Sequence, residues 1–114
     1  MPRIKNPKAK GSAFERIVKK LIQKQNLRSE VFRSPASLGS ADLIVITRDE
    51  YETDSNSRVF TTSKVELIQC KYLKKYMSKK ETDRIIEDAN RLGATAWLVY
   101  REKPRGRIRF QSLS

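Results

Sequence analysis

Lys64-Val65-Glu66-Leu67-Ile68-Gln69-Cys70-Lys71-Tyr72 is the stretch on which the fold turns. Its short apolar run, bounded by polar residues, predicts a strand. A strand alternates its side chains, so Val65, Leu67, Gln69 and Lys71 share one face and Glu66, Ile68, Cys70 and Tyr72 the other. Gln69 and Lys71 thus point together at one spot, where a core would prefer apolar groups. Upstream, Ala41-Asp42-Leu43-Ile44-Val45-Ile46-Thr47 predicts a buried strand with a carboxylate near its start. If the two strands are neighbours, Asp42 reaches the same place.

Working outward, Ala13, Phe14, Ile17, Val18, Leu21 and Ile22 recur at helical spacing, with Arg16, Lys19, Lys20 and Lys24 on the other face. Ser12 with Glu15 three residues on matches a capping box, which starts this helix at Ser12 and stops it near Asn26. Residues 1–10, with Pro2, Pro7 and no periodicity, are expected to be a flexible basic arm ahead of a single domain over 11–114. Glu30–Arg33 predicts a short strand, and Ser34–Ser40 a tight polar loop suited to lie close to a ligand. Residues 48–63 are expected to be an exposed connection or hairpin end. Ser78 is a candidate cap for a second helix over 79–92, with Thr82, Ile85, Ile86, Ala89 and Leu92 inward and Gly93 as its stop. Ala96–Tyr100 reads as a strand, and Arg107–Phe110 as an edge strand after the Pro104-Arg105-Gly106 turn. The order is α-β-β-β-α-β-β, an α/β architecture with a mixed sheet of about five strands flanked by two helices.

Composition removes much chemistry at once. The 114 residues include no histidine and one cysteine, Cys70. Ser-His-Asp triads, Cys-His dyads, Cys/His zinc sites and internal disulfides are therefore excluded. No apolar run approaches the roughly 18–20 residues that span a bilayer. The basic opening residues have no apolar h-region behind them, so a cytoplasmic location without a secretory signal is expected. Twenty-five Lys and Arg against thirteen Asp and Glu give a net charge of +12. A field of that sign favours a polyanion, nucleic acid above all; the plainer alternative is a lysine-rich soluble surface.

What chemistry remains must use carboxylates, amides, lysines, hydroxyls and a hard metal ion. Asp42, Gln69 and Glu15, the last approaching from the first helix, are hard oxygen donors of the kind Mg²⁺ takes alongside water. A lysine beside them, Lys71, can orient or deprotonate a metal-bound water and offset charge on a phosphate. Each residue has a simpler role open to it: Glu15 as a capping acid, Asp42 as a turn residue, Gln69 and Lys71 as exposed edge positions. Their coincidence in a chain of this charge points to a metal-dependent phosphodiesterase site.

These residues sit in a wider pattern. Lys10-Gly11-Ser12-Ala13-Phe14-Glu15-Arg16, then Arg33-Ser34-Pro35-Ala36-Ser37, then Asp42, then Gln69-Cys70-Lys71 resembles the archaeal and viral Holliday-junction resolvases of the PD-(D/E)XK nuclease superfamily. The resemblance continues through Asn90-Arg91-Leu92-Gly93-Ala94 and Trp97–Tyr100. It implies a restriction-endonuclease-like fold, a symmetric homodimer, Mg²⁺ or Mn²⁺, and paired cuts in a four-way DNA junction. It further implies Glu15, Asp42 and Gln69 at the metal and Lys71 as the catalytic lysine. Ser37 becomes the active-site loop serine, with Arg16 and Arg33 at the scissile phosphate. Lys10, Lys74, Lys75, Lys79 and Lys80 join the expected DNA-binding set. No small-molecule cofactor and no membrane partner is expected. The departure is Gln69, where the usual motif has Glu or Asp: the amide still offers a carbonyl oxygen but brings no charge. Glu66 is a poor substitute, because it faces the other side of the strand. Two other functions stay open, an Mrr-type restriction endonuclease on duplex DNA and a non-catalytic DNA-binding module on the same fold.

A dimer also follows from the need for two symmetric cuts by a chain with one candidate site. Leu73, Tyr76, Met77, Ile85, Ile86 and Leu92, with Trp97 nearby, exceed what one thin sheet obviously needs and are expected to form its apolar interface.

Overall fold

A computed structural model describes residues 7–34, 40–52, 59–74 and 76–113. Seven elements follow one another: α1 (Pro7–Gln25), β1 (Ser29–Arg33), β2 (Leu43–Glu52), β3 (Val59–Tyr72), α2 (Lys79–Leu92), β4 (Thr95–Arg101) and β5 (Arg109–Ser112). The strands form one sheet in chain order, β1-β2-β3-β4-β5. All neighbours are antiparallel except β3 and β4, which run parallel because α2 carries the chain back across the sheet between them.

Each helix takes one face. Phe14, Val18 and Ile22 form the buried line of α1 and pack with Val31, Leu43, Val45, Ile68 and Val99. Ile85 and Ala89 of α2 pack with Ala41, Leu67 and Ala96 on the opposite face. β3 alternates as expected, Ile68 joining the α1 cluster and Leu67 the α2 cluster. Among the described residues, no helix is long and apolar enough to cross a membrane.

Several boundaries differ from expectation, each for a local reason. α1 begins at Pro7, so Ser12 is no N-cap and residues 7–10 of the expected arm are helical. Proline is well suited to the first helical position, where its missing N–H costs no hydrogen bond. Residues 48–52 and 59–63 are strand: β2 and β3 stay paired from Leu43↔Ile68 out to Glu52↔Val59. Their polar side chains misled because ladder hydrogen bonds need no burial, and Tyr51, Val59, Phe60, Thr61 and Thr62 are good strand formers. β5 pairs two residues later than expected, Phe110 opposite Val99, because residues 102–108 are used in reversing the chain.

α2 follows its signals closely. Ser78 is the N-cap, Glu81 completes a capping box, and Gly93 closes the helix in the left-handed region at φ 66°. Leu92, however, is 46% exposed rather than inward. The expected apolar interface does not form one patch. Ile85 is fully buried in the α2 cluster, Met77 and Ile86 pack against that cluster, and Trp97 packs against the α1 cluster on the other face. Leu73, Tyr76 and Leu92 are the members left exposed. A sheet with a helix on each face has two cores to fill, and they use Met77, Ile85, Ile86 and Trp97 of the apolar residues that seemed to be in surplus.

Candidate active site

β2 and β3 part company at one end, and the site is built at that fork. The last ladder pair is Leu43↔Ile68. One residue further, Asp42 still donates its N–H to the Ile68 carbonyl at 2.8 Å and accepts at its own carbonyl from the Ser34 N–H at 2.9 Å. Beyond it the strands diverge, and the Cys70 N–H, which β2 no longer satisfies, donates to Asp42 Oδ2 at 2.8 Å. The carboxylate thus takes the place of a ladder carbonyl, which fixes both its position and its rotamer. The approach to it is pinned as well. The Ser40 hydroxyl donates to the Asp88 carboxylate on α2, and Ala41 is buried in the α2 cluster.

From the α1 side, Glu15 comes to Asp42. Burial, then the Asp42 charge, push the Glu15 carboxyl above its ordinary range, against the pull of Arg33. Asp42 is raised too, by burial first, although the Cys70 N–H and the Lys71 charge work the other way. The two carboxyls are within hydrogen-bonding reach of each other and are disfavoured as a pair of anions. Arg33 Nη2 lies 3.4 Å from Glu15 Oε2, with its own side chain mostly in solvent. Ser12, Arg16, Lys19, Arg33 and Leu43 complete a cleft of about 210 Å³ around Glu15.

The α2 side holds the lysine. Lys71 Nζ donates to Glu81 Oε2 at 2.5 Å. That bond is the leading reason the Glu81 carboxyl sits below its ordinary range. Lys71 and Glu81 line a cleft of about 510 Å³ with Leu73, Lys74, Tyr76, Ser78 and Glu102. Gln69 is half-buried, on the face that Leu67 marks as the α2 side, together with Lys71. The ladder register, extended by one residue, sets it opposite Asp42. Glu66 is on the other face and pairs with Lys64 at 4.0 Å, so it stays out of the site. The Cys70 thiol packs on the α1 side, and burial pushes its ionisation up, which rules it out as a nucleophile at neutral pH.

Glu15, Asp42, Lys71, Arg16 and Arg33, expected from sequence, therefore gather around one fork, with Gln69 across from Asp42. Lys74, Lys79 and Lys80 are exposed beside the Lys71 cleft and along the first turn of α2. Ser37, Lys75 and the Lys10 side chain lie outside the described residues. Glu81 was missed by sequence reasoning. The Ser78-x-x-Glu81 spacing placed it at the start of α2, but its reach to Lys71 depends on how that helix docks. Among the described residues no three His, Cys, Asp or Glu side chains form a group that could hold a metal ion.

No family model matches the sequence, and no curated protein does. Among solved structures, the chain is similar to Hjc of Archaeoglobus fulgidus, a Holliday junction resolvase from an archaeal hyperthermophile. The match has a TM-score of 0.61 at 20% identity and covers 91% of this chain and 73% of that one. The five-stranded mixed sheet between two helices, in the order α-β-β-β-α-β-β, is thus the fold of an archaeal Holliday-junction resolvase.

Proposed function

We propose that this chain is a structure-selective, metal-dependent endonuclease that resolves four-way DNA junctions by paired phosphodiester hydrolysis. The observation that carries the proposal is the fork itself: Asp42 locked to β3, touching a half-buried Glu15 on one side and facing Lys71 on the other. Two carboxyls that repel each other in a partly desolvated cleft are a poor arrangement on their own and a good one for a divalent cation. Glu15 and Asp42 would hold Mg²⁺, or Mn²⁺ in its place, with the Gln69 carbonyl oxygen and water completing the shell. Bound there, the ion supplies a water of lowered pKa and draws charge from the attacked phosphate.

The remaining work falls to the chain's own side chains. Lys71 presents an ammonium next to Asp42, where it orients a water and offsets charge as the phosphate is attacked. Arg33 and Arg16, at the Glu15 cleft, bring positive charge to the scissile strand. Lys74, Lys79 and Lys80 extend the basic surface past the other cleft, where they contact neighbouring phosphates without reading sequence. Lys10, Lys75 and Ser37 belong to the same proposed surface by their place in the sequence. The enzyme acts in the cytoplasm as a homodimer, because two cuts in one binding event need two such forks.

The test is cleavage of a synthetic four-way junction with Mg²⁺ beside its matching linear duplex. Cutting of the junction alone is expected. Equal cutting of both favours a restriction-type enzyme, and tight binding without cutting favours a DNA-binding module whose metal site has decayed. Sedimentation at micromolar protein is expected to give a mass near twice 13.2 kDa; a monomer that still makes paired cuts overturns the dimer.

A further inference from the structure

We infer that Glu81 supplies the carboxylate that position 69 lacks, acting as the positioning residue for Lys71. The inference rests on the nuclease proposal and deepens it. In the motif this chain resembles, an acid stands where Gln69 does, on the same strand face as the lysine two residues on. Successive residues on one face of a strand are about 7 Å apart, so an acid there is within reach of the lysine. Gln69 gives Lys71 no charge. The Lys71 side chain is nevertheless only 18% exposed. An ammonium that far from water needs an anion, and Glu81, from another element, provides it at 2.5 Å.

Glu81 is itself held in place. Its Oε1 accepts from the Ser78 N–H at 3.3 Å and from the Ser78 hydroxyl at 3.1 Å, while its own N–H donates to Ser78 Oγ at 3.2 Å. The capping box uses one carboxylate oxygen and leaves the other, Oε2, for Lys71. A cap alone would need no such partner. Ala89 on the inner face of α2, with Ala41 and Ala96 beneath it, lets the helix sit close to the sheet, which brings its first turn to the end of β3. Glu81 is also near enough to Asp42 for its charge to be felt there. One ammonium thus has two carboxylates within its field. Paired with Glu81, Lys71 stands beside Asp42 without neutralising it, and Asp42 stays free for a cation.

The experiment is a double-mutant cycle between positions 69 and 81, read in two ways: junction cleavage, and Mn²⁺ binding without DNA by electron paramagnetic resonance. Glu81→Gln keeps a capping box, since glutamine serves at that position, and removes only the charge. It is expected to lower cleavage by about 10- to 100-fold and to weaken Mn²⁺ binding, the scale seen when a residue that orients an active-site group is lost. In a Gln69→Glu background the same change is expected to cost less than about threefold in either reading, because the carboxylate introduced on β3 now holds Lys71. Equal losses in both backgrounds, or no loss in either, overturn the inference. Should Glu81→Gln unfold, the Gln69→Glu/Glu81→Gln pair decides: recovered fold and cleavage support the charge exchange. A pair that stays unfolded makes Glu81 a structural cap, because a residue on β3 cannot cap α2. Wild-type protein that binds Mn²⁺ but leaves junctions whole overturns the nuclease proposal and leaves the Mn²⁺ cycle to judge Glu81. Wild-type protein that cuts junctions while the cycle shows no coupling overturns Glu81 alone, and wild-type protein that binds no Mn²⁺ overturns both.

Discussion

On the α1 side of the fork, Asp42 meets Glu15, and both carboxyls are pushed up by burial and crowding. On the α2 side, Lys71 meets Glu81 at 2.5 Å, and the Glu81 carboxyl is pulled down. The first pair sets an acid beside an acid and the second an acid against a base, within one site. The difference separates two tasks. On the proposed reading the carboxylate half would receive a divalent cation, whereas the lysine half already holds its ammonium in an ion pair. The faces of the sheet are arranged to match. Large side chains on the buried line of α1 (Phe14, Val18, Ile22) support a partly desolvated cleft, and alanines between α2 and the sheet (Ala41, Ala89, Ala96) let that helix bring an acid to the strand end.

The largest effect is expected from removing the residue both halves share. Asp42→Ala should lower junction cleavage by about a thousandfold or more, because the cation loses its fixed carboxylate. Junction affinity, measured by gel shift in EDTA, should stay within about threefold, since phosphate contacts by Lys and Arg supply most of it. The Cys70 N–H loses its acceptor at the same time, so a stability loss of about 1–2 kcal/mol should accompany the change. Binding that falls in step with cleavage would show that Asp42 serves the fold before it serves chemistry.

A smaller effect should have opposite signs in the two halves. Glu15 has its folded-state pKa raised above the unfolded value. Its contribution to stability is therefore fully present below the unfolded pKa and is lost as pH rises through the folded one. Glu81 is lowered; its contribution is present above the unfolded pKa and is lost as pH falls through the folded one. Without divalent ions at pH 7, Glu15→Gln should raise stability by about 0.5–1 kcal/mol, or a few degrees in Tm. The gain should fade as pH falls toward 4.5, the unperturbed Glu value. Glu81→Gln should lower stability by less than about 0.5 kcal/mol, since the side chain is 42% exposed and solvent screens the pair. Thermal unfolding across pH 4–7.5 checks both signs. A Glu15→Gln protein less stable than wild type at neutral pH would break the contrast.

Much of the fold was legible because its signals are local. The alternation of Val65–Tyr72, the Ser78 cap and the Gly93 stop act within a few residues and marked the inner part of β3 and the whole of α2. The α1 start was missed because Ser12 and Glu15 carry a capping pattern that competes with Pro7, and spacing cannot say which one the chain uses. The long β2–β3 ladder was missed because hydrophobicity reports burial, whereas Arg48–Glu50 and Thr61–Ser63 are exposed and held by backbone pairing. At the site, Gln69 and Lys71 could be placed on one face from strand period, and Asp42 near them only if the two strands are neighbours, which they are. Glu81 could not. Its distance from Lys71 depends on the depth at which α2 docks, which is set by Ala89 and Ala96 and is invisible to periodicity.

The smallest effect probes whether the lysine half is as settled as its charges suggest. Leu73, two residues past Lys71, has φ 63°, in the left-handed region, while its N–H donates to the Arg101 carbonyl at 2.6 Å. For an L-residue with a Cβ that backbone costs about 1–2 kcal/mol. Leu73→Gly removes the strain but gives the unfolded chain more freedom, worth about 0.4–1 kcal/mol in the other direction. The leucine side chain is 42% exposed, so little packing is lost with it. The net expectation is a gain of about 0.5 kcal/mol in urea unfolding. Cleavage should change by no more than about twofold, because Glu81 rather than the turn fixes Lys71. If the glycine variant is more stable yet cuts more than about tenfold slower, the strained turn positions the lysine, and the lysine half depends on stored backbone energy as well as on its ion pair.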